Sequence, residues 1–310
     1  LIGHAHTNPY TIFRRSINND NWYKKILIQP FNCDPKQMSH LYDLIPICDT
    51  FIAISGKYWL KNLKKSIFKK WQKKIIQIDL GLDKKKYPFI KKKFNASGKR
   101  KFLYIGNDYA YNNYAKNTIF LEKISKKINR NYLSTIGNKK IGTINHYGWL
   151  DLNLKKSQKL ISDYDYLIQT SNFDANPSTV LESISWGLVP VITRQCGYTD
   201  FNKNTYIPLD NVNGAMKIIN KLQRLKNKNL YKIQKDNLKM LNEIYNWNVF
   251  KKKIVSIIIN RKKNTNIKYT KKEIKIFEEN KKKSPNYYLR INNIFSIIKS
   301  NLKILFINTN

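Results

Sequence analysis

Cysteine is almost missing from this chain of 310 residues: Cys33, Cys48 and Cys196 stand singly, with no CxxC pair. Scattered single thiols suit a reducing, cytosolic setting, and with no histidine cluster beside them they argue against a structural zinc site. Long hydrophobic runs are missing too. No apolar stretch approaches the ~18–20 residues of a membrane-spanning helix, and no signal-peptide pattern opens the chain. A chain that begins at Leu1, without an initiator methionine, is expected to be a fragment. There is no internal repeat. Zinc-finger spacing and an aromatic RNA-binding strand pattern are both absent, so specific nucleic-acid binding is not expected. Acids are scarce: 20 against 58 Lys and Arg, a formal charge of +38.

What is present is globular material. Apolar residues make up 42% and aromatics 13%, and the length suffices for two ordinary domains with buried cores. The basic excess runs from "KNLKKSIFKKWQKK" to "NKKKSP" and gathers on no single motif. A chain that overuses Lys, Asn and Ile everywhere explains that spread. Attraction to an anionic membrane surface is the second reading, and general polyanion binding on an α/β scaffold the third.

Short β-branched runs alternate with helix-spaced segments. Residues 24–31, 49–56 and 73–80 read as buried strands, with a helix after the second carrying Trp59, Leu60, Leu63, Ile67 and Phe68 on one face. Residues 84–100 are charged, contain Pro and Gly, and read as a linker, with Asp83 capping the turn before it. A second series follows: strand 100–106, helix 117–128, strand 131–137, a short strand or turn at 144–150, helix 153–163, strand 164–171 and strand 188–193. That rhythm predicts a parallel sheet with helices on both faces. Helices are expected to about residue 262, and one more candidate lies in "RINNIFSIIKSNLKILFI".

One stretch departs from the basic background. "SNFDANPSTVLESISWGLVPVIT", residues 171–193, holds Asp174 and Glu182 and no Lys or Arg. Asn176 suits a helix N-cap, Pro177 the first helical position and Gly187 a left-handed C-cap. The helix mouth then stands at the carboxyl end of the preceding strand, where open parallel sheets bind ligands. The amides of Ser178, Thr179 and Val180 would offer a phosphate seat. Glu182, one turn on, reaches the same crevice, and Asp174 lies over its mouth. Carboxylates repel phosphate, so these two are expected to accept hydrogen bonds from hydroxyls beside it. A sugar nucleotide presents that combination.

"DANPSTVLESISWGLVPVIT" resembles the acidic–x7–Glu signature of retaining GT-B glycosyltransferases of family 4, usually E-G-x-P-x-x-x-L-E-A-x-A-x-G-x-P-V-I. Asp174, Pro177, Leu181, Glu182, Gly187, Pro190, Val191 and Ile192 match it. "CDTFIAISG", "IIQIDLGLD", "KFLYIG", "YGWLD" and "YNWNVF" are similar to that family's other landmarks, in family order from about residue 49 to 250.

The resemblance implies a GT-B, α/β fold of two Rossmann-like doubly wound domains facing a cleft. These are an incomplete acceptor-side domain over 1–90 and a nucleotide-sugar domain over 91–262, with a basic extension over 263–310. It implies transfer of a sugar from a nucleotide-diphosphate sugar with retention, with no cofactor and no metal. Glu182 would hold the ribose hydroxyls and Asp174 those of the donor sugar. The Ser178–Val180 amides would hold the distal phosphate, and loops at Gly137 and Gly148–Trp149–Leu150 would face the base. Asn107, after Gly106, stands where the family's phosphate-clamping Arg is expected, and Lys116 is the matching Lys after a lengthened loop. His6, in "LIGHAHTNPY", matches a His that faces the donor sugar, and is carried as a candidate base or hydrogen-bond donor. Trp149 and Trp186 otherwise read as packing residues, and His40 and His146 as residues without a role. The acceptor would be a glycan, a lipid-linked carrier or a protein, with peripheral contact to an anionic membrane in the lipid-linked case. A GT-B-shaped binding protein without transferase activity is the alternative that Asn107 raises.

Overall fold

The structure, a computed structural model, describes residues 2–4, 22, 24–29, 48–65, 69, 72–107, 113–259, 271 and 275. His6, the 263–310 extension and its helix candidate lie outside the described residues, save positions 271 and 275. The chain divides into two compact units: one of residues 1–51, 62–76 and 262–310, the other of 52–61 and 77–261.

The first sheet has the order β1–β2–β3–β4, with β1 at Ile2–His4, β2 at Ile26–Gln29, β3 at Thr50–Ile54 and β4 at Ile75–Ile78. β1 and β2 pair in parallel, Ile2 opposite Ile26. All five residues of β3 are buried, as a continuous apolar run in a covered strand requires. Helix α1 (Lys57–Lys64) follows β3.

The second sheet consists of β5 (Phe102–Ile105), β6 (Leu133–Ile136), β7 (Asn145–His146), β8 (Tyr166–Gln169) and β9 (Val189–Ile192). Its order is β7–β6–β5–β8–β9, and every pair is parallel. Numbered from its own first strand this is 3-2-1-4-5, the doubly wound order, whose direction of winding reverses beside β5.

Between the strands run α2 (Asn113–Lys116), α3 (Thr118–Ser125), α4 (Lys155–Ser162) and α5 (Ser178–Trp186). After β9 come α6 (Val212–Gln223), α7 (Asn227–Glu243) and α8 (Trp247–Ile259). Each strand residue faces the side opposite its neighbour, so the core divides in two. Phe102, Tyr104, Tyr166, Ile168, Val189 and Val191 pack with Phe120, Leu121 and Ile124 of α3 and Ala215, Ile219 and Leu222 of α6. Leu103, Ile105, Leu167 and Ile192 pack with Val180, Leu181, Ile184 and Trp186 of α5. Helices therefore cover both faces. Every residue of α5 from Val180 to Trp186 is buried, which explains why a carboxylate on that helix cannot be an ordinary surface acid.

The linker is pinned at the amino end of this sheet. Asp165, fully buried just before β8, accepts from the Asn95 backbone N–H (2.9 Å), the Asn95 amide (2.8 Å) and the Lys101 N–H (2.9 Å). The Lys91 ammonium lies 3.1 Å from it, also buried. Asp83 caps the turn at Lys84–Lys86 and accepts from the Lys85 N–H at 3.3 Å, as expected.

Helix α5 starts one residue later than expected. Pro177, with ψ 121°, is the N-cap instead of the first helical residue. The Asn176 carboxamide oxygen is turned toward the Leu80 N–H (3.4 Å), away from the helix it was expected to cap. Gly187 closes the helix at φ +93°, in the left-handed region.

Candidate functional site

The carboxyl ends of β5, β6 and β8 gather most of the candidate residues. Beyond β5 come Gly106 and Asn107; beyond β6 comes Gly137, and Gly148–Leu150 follow β7. The Gly106 N–H donates to Ile136 (3.0 Å), and the Gly137 N–H to Gly148 (3.0 Å). A Cβ on Gly137 would sit 2.0 Å from the Gly106 carbonyl oxygen, so the loops after β5 and β6 approach as closely as backbone allows. Trp149 stands 68% exposed, a correction to its reading as a packing residue. Trp186 does pack: it is fully buried, edge-on to Tyr87 at 5.9 Å.

Beyond β8, the loop to α5 carries Asp174. Its carboxylate accepts from the Lys116 ammonium at 2.5 Å, and both side chains keep about a fifth of their surface in solvent (19% and 24%). The two come together because the segment around α2 is bound to this loop. The Thr170 hydroxyl donates to the Lys116 and Asn117 carbonyls (3.3 and 3.2 Å), and the Asn172 N–H to Ala115 (2.9 Å). Asn117 adopts φ +51° there and donates through its side chain to Asn172 (3.0 Å) and Asp210 (2.9 Å). Burial pulls the Lys116 pKa down, but the Asp174 charge and hydrogen bond outweigh it, and the net direction is upward. Lys116 stays cationic at neutral pH.

At the mouth of α5, the Val180 N–H is already spent on the Pro177 carbonyl (3.1 Å). The first two helical amides, of Ser178 and Thr179, have no helical acceptor by position. The Gln169 side chain, at the end of β8, donates to the Ile105 carbonyl (2.8 Å) and the Thr179 hydroxyl (3.3 Å). It ties the end of β5 to the helix mouth across the point where the winding reverses.

Glu182 lies one turn further and keeps 9% of its surface exposed. Burial pushes its carboxyl above the usual range, while hydrogen bonds from the Ser178 and Tyr87 hydroxyls pull it back part of the way. Tyr87 is itself raised, by burial first and then by Glu182. A buried acid whose neighbours are hydroxyl donors is an acceptor site for hydroxyls.

The donor region, read as holding no Asp-x-Asp pair, does contain that spacing at Asp163 and Asp165. It lies before β8, at the amino end of the sheet, and Asp165 is consumed by Lys91, Asn95 and the Lys101 amide. Among the described residues no cluster of three His, Cys, Asp or Glu could hold a metal ion. Two surface cavities, of about 590 and 690 Å³, lie elsewhere. One is lined by Lys123, Lys126, Lys127 and residues 210–213, the other by Lys101, Arg130, His146, Tyr164 and neighbours. Neither includes a candidate residue. The strand carboxyl ends remain the better-founded site, because ligand position in open parallel sheets follows topology.

Three residues were missed from the sequence. Tyr87 was hidden in a lysine-rich linker, where an aromatic between basic residues was the available signal. Trp59 was read as one member of an amphipathic face; its indole N–H instead donates to the carbonyls of Asp174 (3.0 Å) and Gln195 (3.1 Å). Gln169, inside an apolar strand, was an unread polar residue.

The architecture is similar to that of a glycosyltransferase from Rickettsia africae ESF-5, with TM-score 0.63 and 15% identity over 85% of this chain and 77% of that one. It is also similar to TarM, with TM-score 0.61 and 15% identity over 84% of this chain. This chain spans about half of TarM (54%). An S. aureus TarM variant in complex with fondaparinux, alpha-GlcNAc-glycerol and UDP superposes with TM-score 0.56 and 13% identity, over 81% of this chain and 54% of that one. Anabaena HepE in complex with UDP and glucose gives TM-score 0.54 and 11% identity, over 75% of this chain and 71% of that one. No protein-family model matches the chain, and no curated protein matches it by sequence. At these identities the likeness shows the fold, which is the GT-B α/β architecture.

Proposed function

We propose that this chain is a retaining glycosyltransferase of the family 4 type, moving a sugar from a nucleotide-diphosphate sugar to an acceptor hydroxyl without a metal. Two solved structures of like fold are a glycosyltransferase and a galactosyltransferase, and two others were determined with UDP. The observation that carries the reading is the Asp174–Lys116 pair and Glu182 on either side of one helix mouth, at the strand ends beside the winding reversal.

Each group has a chemical part in this reading. Glu182 accepts from the ribose hydroxyls, which replace its present hydroxyl donors. The Ser178 and Thr179 amides and the positive end of α5 face the diphosphate. Lys116, held cationic by Asp174, stabilises the charge that develops on the leaving phosphate. Asp174 turns its other oxygen to the donor sugar. Gly137, Gly148, Trp149 and Leu150 face the base, and Gly106 and Asn107 lie on the phosphate side. Asn107 offers an amide where an Arg would give a charge, so phosphate stabilisation rests more heavily on Lys116. His6 is proposed as a donor-sugar residue, and the acceptor is proposed to be a glycan, a lipid-linked carrier or a protein. A cytoplasmic location and peripheral contact with an anionic membrane surface belong to the same proposal.

Replacing Glu182 by Ala tests the site. Titration with UDP, GDP and ADP sugars should show wild-type binding and a loss of roughly a hundredfold or more in the variant, the weight of two hydrogen bonds to a charged acceptor. Unchanged affinity removes Glu182 from the site.

A further inference from the structure

The loop that carries Asp174 is held from outside its own sheet. After β3, the Gly56 N–H donates to the Ala175 carbonyl (2.8 Å) and the Tyr58 N–H to the Gly197 carbonyl (3.3 Å). Contact is close enough that a Cβ on Gly56 would fall 1.8 Å from the Gly197 carbonyl oxygen, and Gly197 itself sits at φ +88°. Beside this contact the Trp59 indole, 6% exposed, donates one N–H to both the Asp174 and the Gln195 carbonyls. The Asp174 N–H closes the ring by donating to the same Gln195 carbonyl at 2.9 Å. Both backbone groups of Asp174 are thereby engaged. The Trp59 ring also meets Phe173 edge-on at 6.4 Å.

We propose that Trp59 is a positioning residue for the Asp174–Lys116 pair, setting the carboxylate through the backbone of its loop from the helix that follows β3. The inference rests on the reading of Asp174 as a donor-sugar residue. Its physical basis is distinct: a shared N–H fixes two carbonyls, and with them the one short loop whose side chain must meet both Lys116 and a sugar. A shift of about 1 Å in such a group can cost on the order of a hundredfold in rate, whereas the Ser178–Glu182 side of the site lies on a buried helix and is untouched.

The test is Trp59→Phe, which keeps a ring against Phe173 and deletes the N–H. Hydrogen exchange on the full chain should show slow exchange of segment 172–176 in the wild type and faster exchange there, and at 195–198, in the variant. Turnover of whichever UDP, GDP or ADP sugar the wild type consumes should fall about tenfold, the rate equivalent of about 1.4 kcal/mol, while nucleotide affinity stays within about threefold. Fast exchange of 172–176 in the wild type overturns the inference without any variant. Equal exchange in variant and wild type overturns it too, as does a rise in exchange with unchanged turnover. If Glu182→Ala leaves nucleotide binding intact, the transferase reading falls instead, and the exchange comparison still decides whether Trp59 holds the loop.

Discussion

Glu182 is a single side chain whose proposed binding role comes at the expense of stability. Burial holds its carboxyl above the ordinary glutamate value of 4.5. A raised carboxyl contributes stability that is complete below the unfolded-state pKa and is lost as pH rises through the folded value. The wild type therefore gives up stability at this residue as pH rises from about 4.5 through the raised folded value. Glu182→Gln, which cannot ionise, should unfold at a higher denaturant concentration than wild type at pH 7, with the gap closing toward pH 4. A gap independent of pH would mean that the carboxyl is not desolvated. Asp174 faces a cation, the Lys116 ammonium 2.5 Å away. Asp174→Asn should depress turnover at least tenfold, the scale of a lost charged contact at the reacting centre, and change nucleotide affinity far less. Equal losses in both would contradict its place beside the sugar. Both acids were legible in the sequence because they break a basic background at helix-compatible spacing. Tyr87, Trp59 and Gln169 were not, because their roles depend on contacts with chain far away in sequence.

At the scale of elements, the sequence was readable where its signals were local. The strands of the second sheet and the left-handed end of α5 at Gly187 follow from β-branched runs and one glycine. The start of α5 was displaced by a residue because the Asn176 side chain serves Leu80 instead, a tertiary preference with no local signature. Gly187→Ala should cost about 2 kcal/mol, since the left-handed conformation disfavours a Cβ, which would also meet the Phe89 ring at 2.5 Å. Chemical denaturation measures it; an unchanged midpoint would mean that the helix end is not held. The linker is the element where expectation and structure differ most in character. The stretch that reads as a charged linker contains Lys91, 2% exposed and paired with the fully buried Asp165. Lys91→Met leaves that carboxylate hydrogen-bonded but without its counter-charge and should destabilise the protein by about 3 kcal/mol.

For the molecule as a whole, the charge of +38 is spread along the chain, while the proposed binding chemistry centres on a stretch that lacks basic residues. The stretch from Ser171 to Thr193 has no Lys or Arg, and none of the helices described is long and apolar enough to cross a membrane. Association with anionic vesicles, if it comes from the distributed lysines, should weaken steeply with salt and survive Glu182→Ala, whereas nucleotide-sugar binding should be lost in that variant and depend little on salt. The most direct test of transferase activity is to incubate the full chain with UDP, GDP and ADP sugars and measure free nucleoside diphosphate. Release from at least one of them, abolished by Glu182→Ala, is the expected result; no release above a protein-free control from any of them would contradict it.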